Sequence, residues 1–201
     1  LDGYHVSPYC VPTRAALFTG RYADRTGIHN VLEPHWFVRT NEVMLSNMFQ
    51  DAGYATGMFG KWHLGDEEPY QPTSRGFSEV LIHGAGGIGQ NYPGSQADFA
   101  PNANKDTRYF DTVVRHNNTV VQTKGFCTDV FFESALGWIK QQRDAKQPFC
   151  LVVALVEPHV PWVMGDPSQY TPAKLKLPPN IADTLRTRQD FAKYLAEITY
   201  M

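Results

Sequence analysis

Hydrophobic residues spaced at i, i+3, i+4 and i+7 predict two amphipathic helices in this chain. The first is expected after Thr40 or Asn41, either of which can cap it, and to end at Gly53. The second is expected to begin at a cap formed by Asp129. The residues predicted to face the core are Leu45, Met48, Phe49 and Ala52 in the first helix and Phe132, Ala135, Leu136 and Ile139 in the second.

Two further helices are predicted elsewhere in the chain. Pro12 suits the first turn of a helix and Gly20 suits its end, which predicts a short helix over 13–19. Cys10 would then lie just ahead of a helix N-terminus. A helical pattern over 191–200 predicts another helix close to the end of the sequence.

Apolar stretches predict strands at 54–60 and 149–156. The second stretch, FCLVVALV, has the length and β-branched content typical of a central strand covered on both faces. Short apolar pairs at 113–114 and 119–121 predict a small hairpin. They lie in a loop-rich region, 67–123, that abounds in Gly, Pro, Asn and Asp. The alternation of helices and strands favours an α/β fold with a mostly parallel central sheet flanked by helices.

Composition narrows the class of protein. The chain has 201 residues, of which 42% are hydrophobic and 13% aromatic, a globular composition. Its formal charge of −2 gives no general attraction for nucleic acid or an anionic membrane, and no apolar run has membrane-spanning length. The first residues show no signal-peptide pattern. The three cysteines lack the spacing of a disulfide framework, a zinc finger or a thioredoxin-like motif.

Candidate catalytic residues lie beside the ends of the predicted elements. In parallel sheets, ligands bind beyond the carboxyl ends of the strands. Lys61 and His63 follow the first predicted strand, and His159 follows the second. Cys10 and Arg14 lie at a helix entrance, where free backbone N–H groups favour negative charge. Together these residues supply cations, N–H donors and a potential nucleophile.

Three segments, in this order, resemble the signatures of the formylglycine-dependent sulfatases. They are CVPTR followed by TGR in 10–21, GYATGMFGKWHLG in 53–65, and EPHVPW in 157–162. The resemblance points to an arylsulfatase-type sulfuric ester hydrolase with the fold of the alkaline-phosphatase superfamily. It implies that 1–201 is an internal portion of the catalytic domain, incomplete at both ends, with 67–123 as an insertion near the substrate mouth.

The resemblance also implies a role for each candidate residue. Cys10 would be oxidised by a formylglycine-generating enzyme to an aldehyde, whose hydrate attacks the sulfate sulfur. Arg14 would steady that hydrate, and Lys61 would bind both the hydrate and a sulfate oxygen. His63 would hydrogen-bond the hydrate during its collapse. His159 would contact the sulfate and protonate the leaving oxygen. The intact Cys, Pro and Arg of the first motif predict that modification takes place.

The same resemblance implies one divalent cation, calcium or alternatively magnesium, bound in part by the modified Cys10. The remaining ligands are expected outside this chain. If that expectation is wrong, Asp98, Asp106 and Asp111 are the carboxylates that could supply the site. The 201-residue piece alone is therefore expected to be inactive, to bind calcium weakly and to aggregate. The expected substrate is a small-molecule or glycan sulfate ester. Family members are commonly exported, but this sequence leaves the compartment open.

Two other functions stay open at this point. One is a phosphonate or phosphodiester hydrolase of the same superfamily, and the other is a non-catalytic anion-binding fragment. Each candidate also has a structural interpretation. Cys10 alone would most often be a small buried apolar residue, Arg14 and Lys61 solvated charges, and His63 and His159 hydrogen-bonded structural residues. All of these would have to hold together within three ordered motifs, which favours the catalytic interpretation.

Four further residues carry weaker predictions. His83 and the glycines after it are expected to line the substrate mouth. Asn117 begins the pattern of an N-glycosylation acceptor, which is common by chance. Cys127 and Cys150 are expected to be buried thiols.

Overall fold

A computed structural model describes residues 6–30, 37–90 and 107–201 of the chain. The chain divides into two compact units, Leu1–Ala154 and Leu155–Met201. None of the described helices is both long and apolar enough to cross a membrane.

The described part of the first unit holds helices and strands in alternation, followed in the second unit by a single long helix. Short 3-10 turns occur at Ala23–Thr26 and Pro72–Arg75 in the first unit, and at Pro167–Gln169 and Pro172–Lys174 in the second. The helices are α1 (Cys10–Thr19), α2 (Leu45–Asp51), α3 (Cys127–Asp144) and α4 (Leu185–Tyr200). The strands are β1 (Ala55–Lys61), β2 (Glu79–His83), β3 (Val113–His116), β4 (Thr119–Gln122) and β5 (Phe149–Ala154).

The strands form one sheet in the order β4-β3-β2-β1-β5. Strand β1 pairs in parallel with β2 on one side and with β5 on the other, with Lys61 opposite His83 at the end of the β1–β2 register. The hairpin β3–β4 continues the sheet in the antiparallel sense. The α/β class is confirmed, and the sheet is a mixed one whose parallel half is β5-β1-β2.

The most buried strand is β1, and not β5 as the apolar run at 149–156 predicts. All residues of β1 after Ala55 are buried, whereas those of β5 are half-buried or exposed. Within the described residues β5 pairs with β1 alone, which places it at an edge of the sheet. A short apolar run predicts a strand, but it does not predict how many neighbouring strands pair with it.

Helix α1 begins at Cys10, three residues before the predicted start, so that Cys10 belongs to its first turn. Pro12 is still compatible with this turn, because the N–H groups at the start of a helix have no intrahelical partner. Gly20 ends the helix in the left-handed conformation, as predicted. Its apolar side lies in the main core together with β1 and β2 residues that include Met58, Val80 and Ile82.

The other helix starts also differ from the predicted ones. Helix α2 begins after Met44, whose backbone N–H donates to the Asn47 side chain at 3.0 Å, and neither Thr40 nor Asn41 caps it. Helix α3 begins after Phe126, so Asp129 lies inside its first turn. Helix α4 begins six residues earlier than predicted.

The predicted buried faces of α2 and α3 are wrong in part. Met48 of α2 is 61% exposed, and Leu136 and Phe132 of α3 are 61% and 36% exposed. In α3 the buried side chains are Cys127, Thr128, Phe131, Ala135 and Trp138. Only Ala135 is common to the predicted and observed sets, because the ring of Trp138 covers Gly57 of β1 and thereby sets the rotation of the helix.

An aromatic trio fixes α1 on the carboxyl end of β1. The ring centroids of Phe18 and Trp62 are 5.2 Å apart, and Phe77 lies 6.0 Å and 5.9 Å from them, edge-on to both. The Trp62 indole N–H donates to the Tyr70 carbonyl at 3.0 Å. Because Trp62 directly follows Lys61, this packing also fixes the residues where β1 ends.

Candidate active site

Lys61 is the last residue of β1 and is only 7% exposed. Burial lowers the pKa of its ammonium group, the Cys10 thiolate opposes that lowering, and the Arg14 guanidinium adds to it. The lysine therefore lies within electrostatic range of both residues of α1. A buried ammonium group gains most from an anion placed beside it.

Arg14 ties α1 to the exit of β1. Its Nε donates to the Trp62 carbonyl at 2.5 Å, and its Nη2 donates to the Lys61 carbonyl. The guanidinium lies 5.8 Å from the centroid of the Phe18 ring. Burial lowers the pKa of Arg14 to about 10, against the opposing effect of the Cys10 thiolate, so the group stays charged at neutral pH. It is a positive charge held in one orientation by main-chain acceptors.

Cys10 has a free, half-buried thiol at the first residue of α1. It packs against the main core, and its negative form raises the pKa of both Arg14 and Lys61. The N–H groups of a first helical turn add partial positive charge at the same place. The structure thus brings the predicted nucleophile precursor and two predicted cations together at the exit of β1.

His63 lies two residues after Lys61, in a left-handed backbone conformation with φ 58°. Its ring lies against Gly86 in the loop that follows β2. A methyl group on Gly86 would come within 2.5 Å of Cε1 and 2.6 Å of Nε2 of that ring. The predicted site therefore draws on the exits of two adjacent parallel strands.

His159 belongs to the second unit, where it follows Glu157-Pro158 in a tight turn. Its backbone N–H donates to the Val156 carbonyl at 3.0 Å. The ring atom Nδ1 contacts the Val160 carbonyl at 2.9 Å. Because a carbonyl can only accept, that contact assigns the proton to Nδ1 and makes Nε2 the acceptor in the neutral ring.

Helix α4 supports the loop that carries His159. The Trp162 indole N–H donates to the Pro158 carbonyl at 2.9 Å, and its ring meets Tyr194 of α4 edge-on at 5.9 Å. The Met164 N–H donates to Oε1 of Glu197 at 2.7 Å, and Glu197 is only 1% exposed. Sequence reasoning missed Glu197; a lone acidic residue on the apolar side of the helical pattern is the signal that could have found it.

The described residues do not form a calcium site by themselves. Among them, no group of three or more His, Cys, Asp or Glu side chains is arranged to hold a metal. Asp111 instead closes a turn, where its Oδ1 accepts from the Gly125 N–H at 2.6 Å. Asp98 and Asp106, the other internal carboxylates considered, lie outside the described residues. The predicted metal-binding role of the modified Cys10 therefore stays a prediction.

The weaker candidates have structural positions. His83 is 1% exposed at the end of β2, with its ring 6.3 Å from Phe131 of α3, so it does not line an open mouth. The Asn117 side chain accepts from the Val80 N–H at 2.9 Å and contacts Glu79, so a glycan on its amide would disturb the pairing of β2. Cys127 is buried as predicted, and Cys150 is half-buried, with the pKa of its thiol raised by burial.

Comparison with known proteins shows the family of the chain. The sulfatase family model matches residues 1–201. The chain belongs to the sulfatase family. It is 32% identical over 181 residues to arylsulfatase G of Canis lupus familiaris, an alignment that covers 80% of this chain and 34% of that protein. The chain thus spans about a third of the length of the curated relatives it matches.

Solved sulfatase structures share the fold. The crystal structure of Ps i-CgsB in complex with k-i-k-neocarrahexaose matches with a TM-score of 0.68 and 28% identity, over 96% of this chain and 42% of that one. The structure of BT4656 in complex with D-glucosamine-2-N,6-O-disulfate matches with a TM-score of 0.59 and 26% identity, over 82% of this chain and 28% of that one. These likenesses support sulfate ester hydrolysis as the family activity.

Proposed function

We propose that this chain supplies the nucleophile and the sulfate-binding cations of a sulfatase that hydrolyses a sulfate monoester. One observation carries the proposal: Arg14, one turn after Cys10 in α1, donates to the main chain of Lys61 and Trp62, and so ties the start of α1 to the exit of the most buried strand. In a member of the sulfatase family, a lone cysteine in this setting is the precursor of formylglycine.

Cys10 is the site of modification in this proposal. A formylglycine-generating enzyme oxidises its side chain to an aldehyde, and the hydrated aldehyde provides the oxygen that attacks sulfur. Arg14 orients that hydrate from its fixed position against the main chain of β1. His63 accepts a hydrogen bond from the hydrate. His159, carrying a proton on Nε2 as well as on Nδ1, gives the Nε2 proton to the departing alcohol oxygen.

Lys61 and Arg14 stabilise charge that develops during the reaction. The sulfate group is anionic, and breaking the ester bond adds negative charge to the leaving oxygen. Fixed cations in a site with little water stabilise such charge, and removing one donor of this kind costs ~3 kcal/mol. Burial of Lys61 removes competing water from its ammonium group, so a sulfate oxygen is its natural partner.

A divalent cation, calcium or alternatively magnesium, stays a prediction from the family resemblance. Among the described residues, no group of three or more His, Cys, Asp or Glu side chains could hold it, so no step here depends on the metal. We also propose a sulfated sugar as the substrate. The two matched structures are complexes with k-i-k-neocarrahexaose and with D-glucosamine-2-N,6-O-disulfate. An exported location is proposed on the resemblance alone.

The test is mass spectrometry of the complete gene product made together with a formylglycine-generating enzyme. The tryptic peptide ending at Arg14 should be lighter than its unmodified form, and aryl sulfate should be turned over. A fully active enzyme with an intact Cys10 thiol would contradict the proposal. Faster hydrolysis of a phosphodiester than of the sulfate would instead favour the phosphodiesterase alternative.

The isolated 201-residue chain offers a second test. It tests the proposal that the nucleophile and the sulfate-binding cations lie in this chain, whereas the remaining metal ligands lie outside it. We propose that it is inactive even with Cys10 converted, because calcium takes six to eight oxygen ligands and Cys10 provides only its own. Calorimetric titration with calcium and an aryl sulfate assay on this chain check the proposal. Tight calcium binding together with turnover would place the metal ligands inside the chain.

A further inference from the structure

We propose that Gly86 and Asp66 are positioning residues that hold the ring of His63 in its working orientation. This inference rests on the role proposed for His63. It assigns a task to two residues that lie outside the three sulfatase signature segments. The two residues belong to the loops that follow β2 and β1, and they meet where those parallel strands end.

Gly86 forms a flat wall behind the imidazole. A methyl group there would lie 2.5 Å from Cε1, 2.6 Å from Nε2 and 3.2 Å from Nδ1, so it would collide with one whole side of the ring. The backbone of Gly86 is outside the left-handed region, so alanine is compatible with its conformation. The atoms nearest to the methyl group of Gly86→Ala all belong to the His63 ring, so the first effect of its bulk is on that ring.

Asp66, in the loop that follows β1, links that loop to the one that follows β2. Both of its carboxylate oxygens accept from the Ala85 N–H, at 3.1 Å and 3.2 Å. The Gln71 side chain donates to the Asp66 carbonyl at 2.7 Å and fixes the near end of this link. Ala85 is next to Gly86, so the carboxylate determines how close the Gly86 wall lies to His63.

Backbone strain is concentrated at the same place. His63 and Ala85 both have positive φ values, 58° and 53°, although neither is glycine. Residues other than glycine adopt this conformation at a cost, and they keep it where surrounding contacts enforce it. Here the enforcing contacts are the Asp66 carboxylate on Ala85 and the packing of the His63 ring on Gly86.

Asp66 is held in place at an electrostatic cost. Burial raises the pKa of its carboxyl group; the Ala85 N–H lowers that pKa, Glu67 raises it and Arg115 lowers it. Burying this carboxylate costs free energy, and the hydrogen bond to the Ala85 N–H offsets part of that cost. We infer that the hydrogen bond is needed to hold the two loops together. The link joins the loops that follow β1 and β2, whose ends also carry Lys61 and His83.

The decisive experiment compares Gly86→Ala with Gly87→Ala in the complete, modified gene product. The two changes add the same methyl group one residue apart, but at Gly87 it would meet the movable end of the Gln90 side chain. Gly86→Ala should lower kcat on an aryl sulfate ~10- to 100-fold with little change in KM, as expected for a misplaced catalytic group. Gly87→Ala should stay within about twofold of wild type.

A double mutant distinguishes positioning from general damage. In a His63→Ala background, Gly86→Ala should cause no further loss, because the ring it displaces is gone. Asp66→Asn, which keeps an acceptor for Ala85, should retain more of kcat than Asp66→Ala. If Gly86→Ala fails to fold, the positioning role is tested with Asp66→Asn and Asp66→Ala. Each is measured alone and together with His63→Ala.

The outcomes separate this proposal from the proposed function. An active wild type with equal kcat values for Gly86→Ala and Gly87→Ala would overturn the positioning role alone. Additive losses of Gly86→Ala and His63→Ala would do the same. A wild type with converted Cys10 and no sulfatase turnover would instead overturn the proposed function.

Discussion

Two segments present candidate catalytic side chains, and they do so by different physical means. At the exit of β1, Lys61 is the final residue of a strand hydrogen-bonded on both sides, and Arg14 is bonded to its main chain. At 157–165, His159 lies in a turn between two prolines and outside any strand. Helix α4 supports that turn through Trp162 and Met164.

The comparison teaches how each site is made rigid. A side chain at the end of a paired strand takes its position from the sheet, and nearby changes leave that position in place. A side chain on a loop needs a separate support, and here that support includes one buried carboxylate and the close approach of Gly165 to the backbone of Ala196. We therefore expect different patterns of mutational sensitivity in the two segments.

The largest effect is expected from removing the proposed nucleophile precursor, Cys10 at the start of α1. Cys10→Ala should abolish turnover in the complete gene product, because the proposed aldehyde forms on the Cys10 side chain. Cys10→Ser should at best be sulfated once, since serine lacks the second hydroxyl that expels sulfate. Turnover assays and intact-mass measurement check both variants. Sustained turnover by Cys10→Ala would contradict the proposed chemistry.

A smaller but still large effect is expected at Lys61. Lys61→Ala should lower kcat on the order of 100-fold or more, as for loss of a charge-stabilising donor. Lys124→Ala is the matched control, because Lys124 is exposed and distant in sequence from the signature segments. Steady-state kinetics on an aryl sulfate measure both. Equal activities of the two variants would remove Lys61 from the site.

On the loop, His159→Ala should have an effect that depends on the substrate. A proton donor matters most when the leaving alcohol is a poor one, so the loss should grow as the alcohol becomes less acidic. Rates across a series of aryl sulfates with graded leaving groups measure this dependence. A uniform loss across the series would make His159 a binding residue only.

The smallest effect is expected at Glu197, and it tests whether this residue supports the loop that carries His159. Glu197→Ala removes the acceptor of the Met164 N–H and should cost about 1–3 kcal/mol of unfolding free energy. It should also steepen the dependence of the rate on leaving-group acidity, in the same direction as His159→Ala, because a displaced His159 protonates the leaving oxygen less effectively. Glu197→Gln keeps an acceptor and should retain both properties.

Asp190→Asn is the control for this pair, since Asp190 lies on the same helix but its side chain is 43% exposed. Denaturant unfolding and the aryl sulfate series measure the two properties of each variant. If Glu197→Ala matched Asp190→Asn in stability and in leaving-group dependence, the Glu197 carboxylate would have no part in holding the loop.

Several elements could be predicted because their signals are local. The strand at 54–60 and the hairpin around 113–121 agree with β1, β3 and β4 to within about two residues. Strand β2 was missed, although it reads EVLIH, because the glycines and prolines around it favour a loop. Its identity as a strand depends on pairing with β1, which is separated from it by a long stretch of sequence.

The sequence by itself predicted which residues do chemistry here. Two short motifs carry this prediction: a lone cysteine followed by proline and arginine, and a Lys-Trp-His run after a strand. Each can be recognised from residues that are close together in the sequence. Tertiary structure alone decided the rotation of α3, the edge position of β5 among the described strands, and the contact of His63 with Gly86. Each of these depends on side chains far apart in the chain meeting in one place, and sequence periodicity records only which residues are apolar, not what they meet.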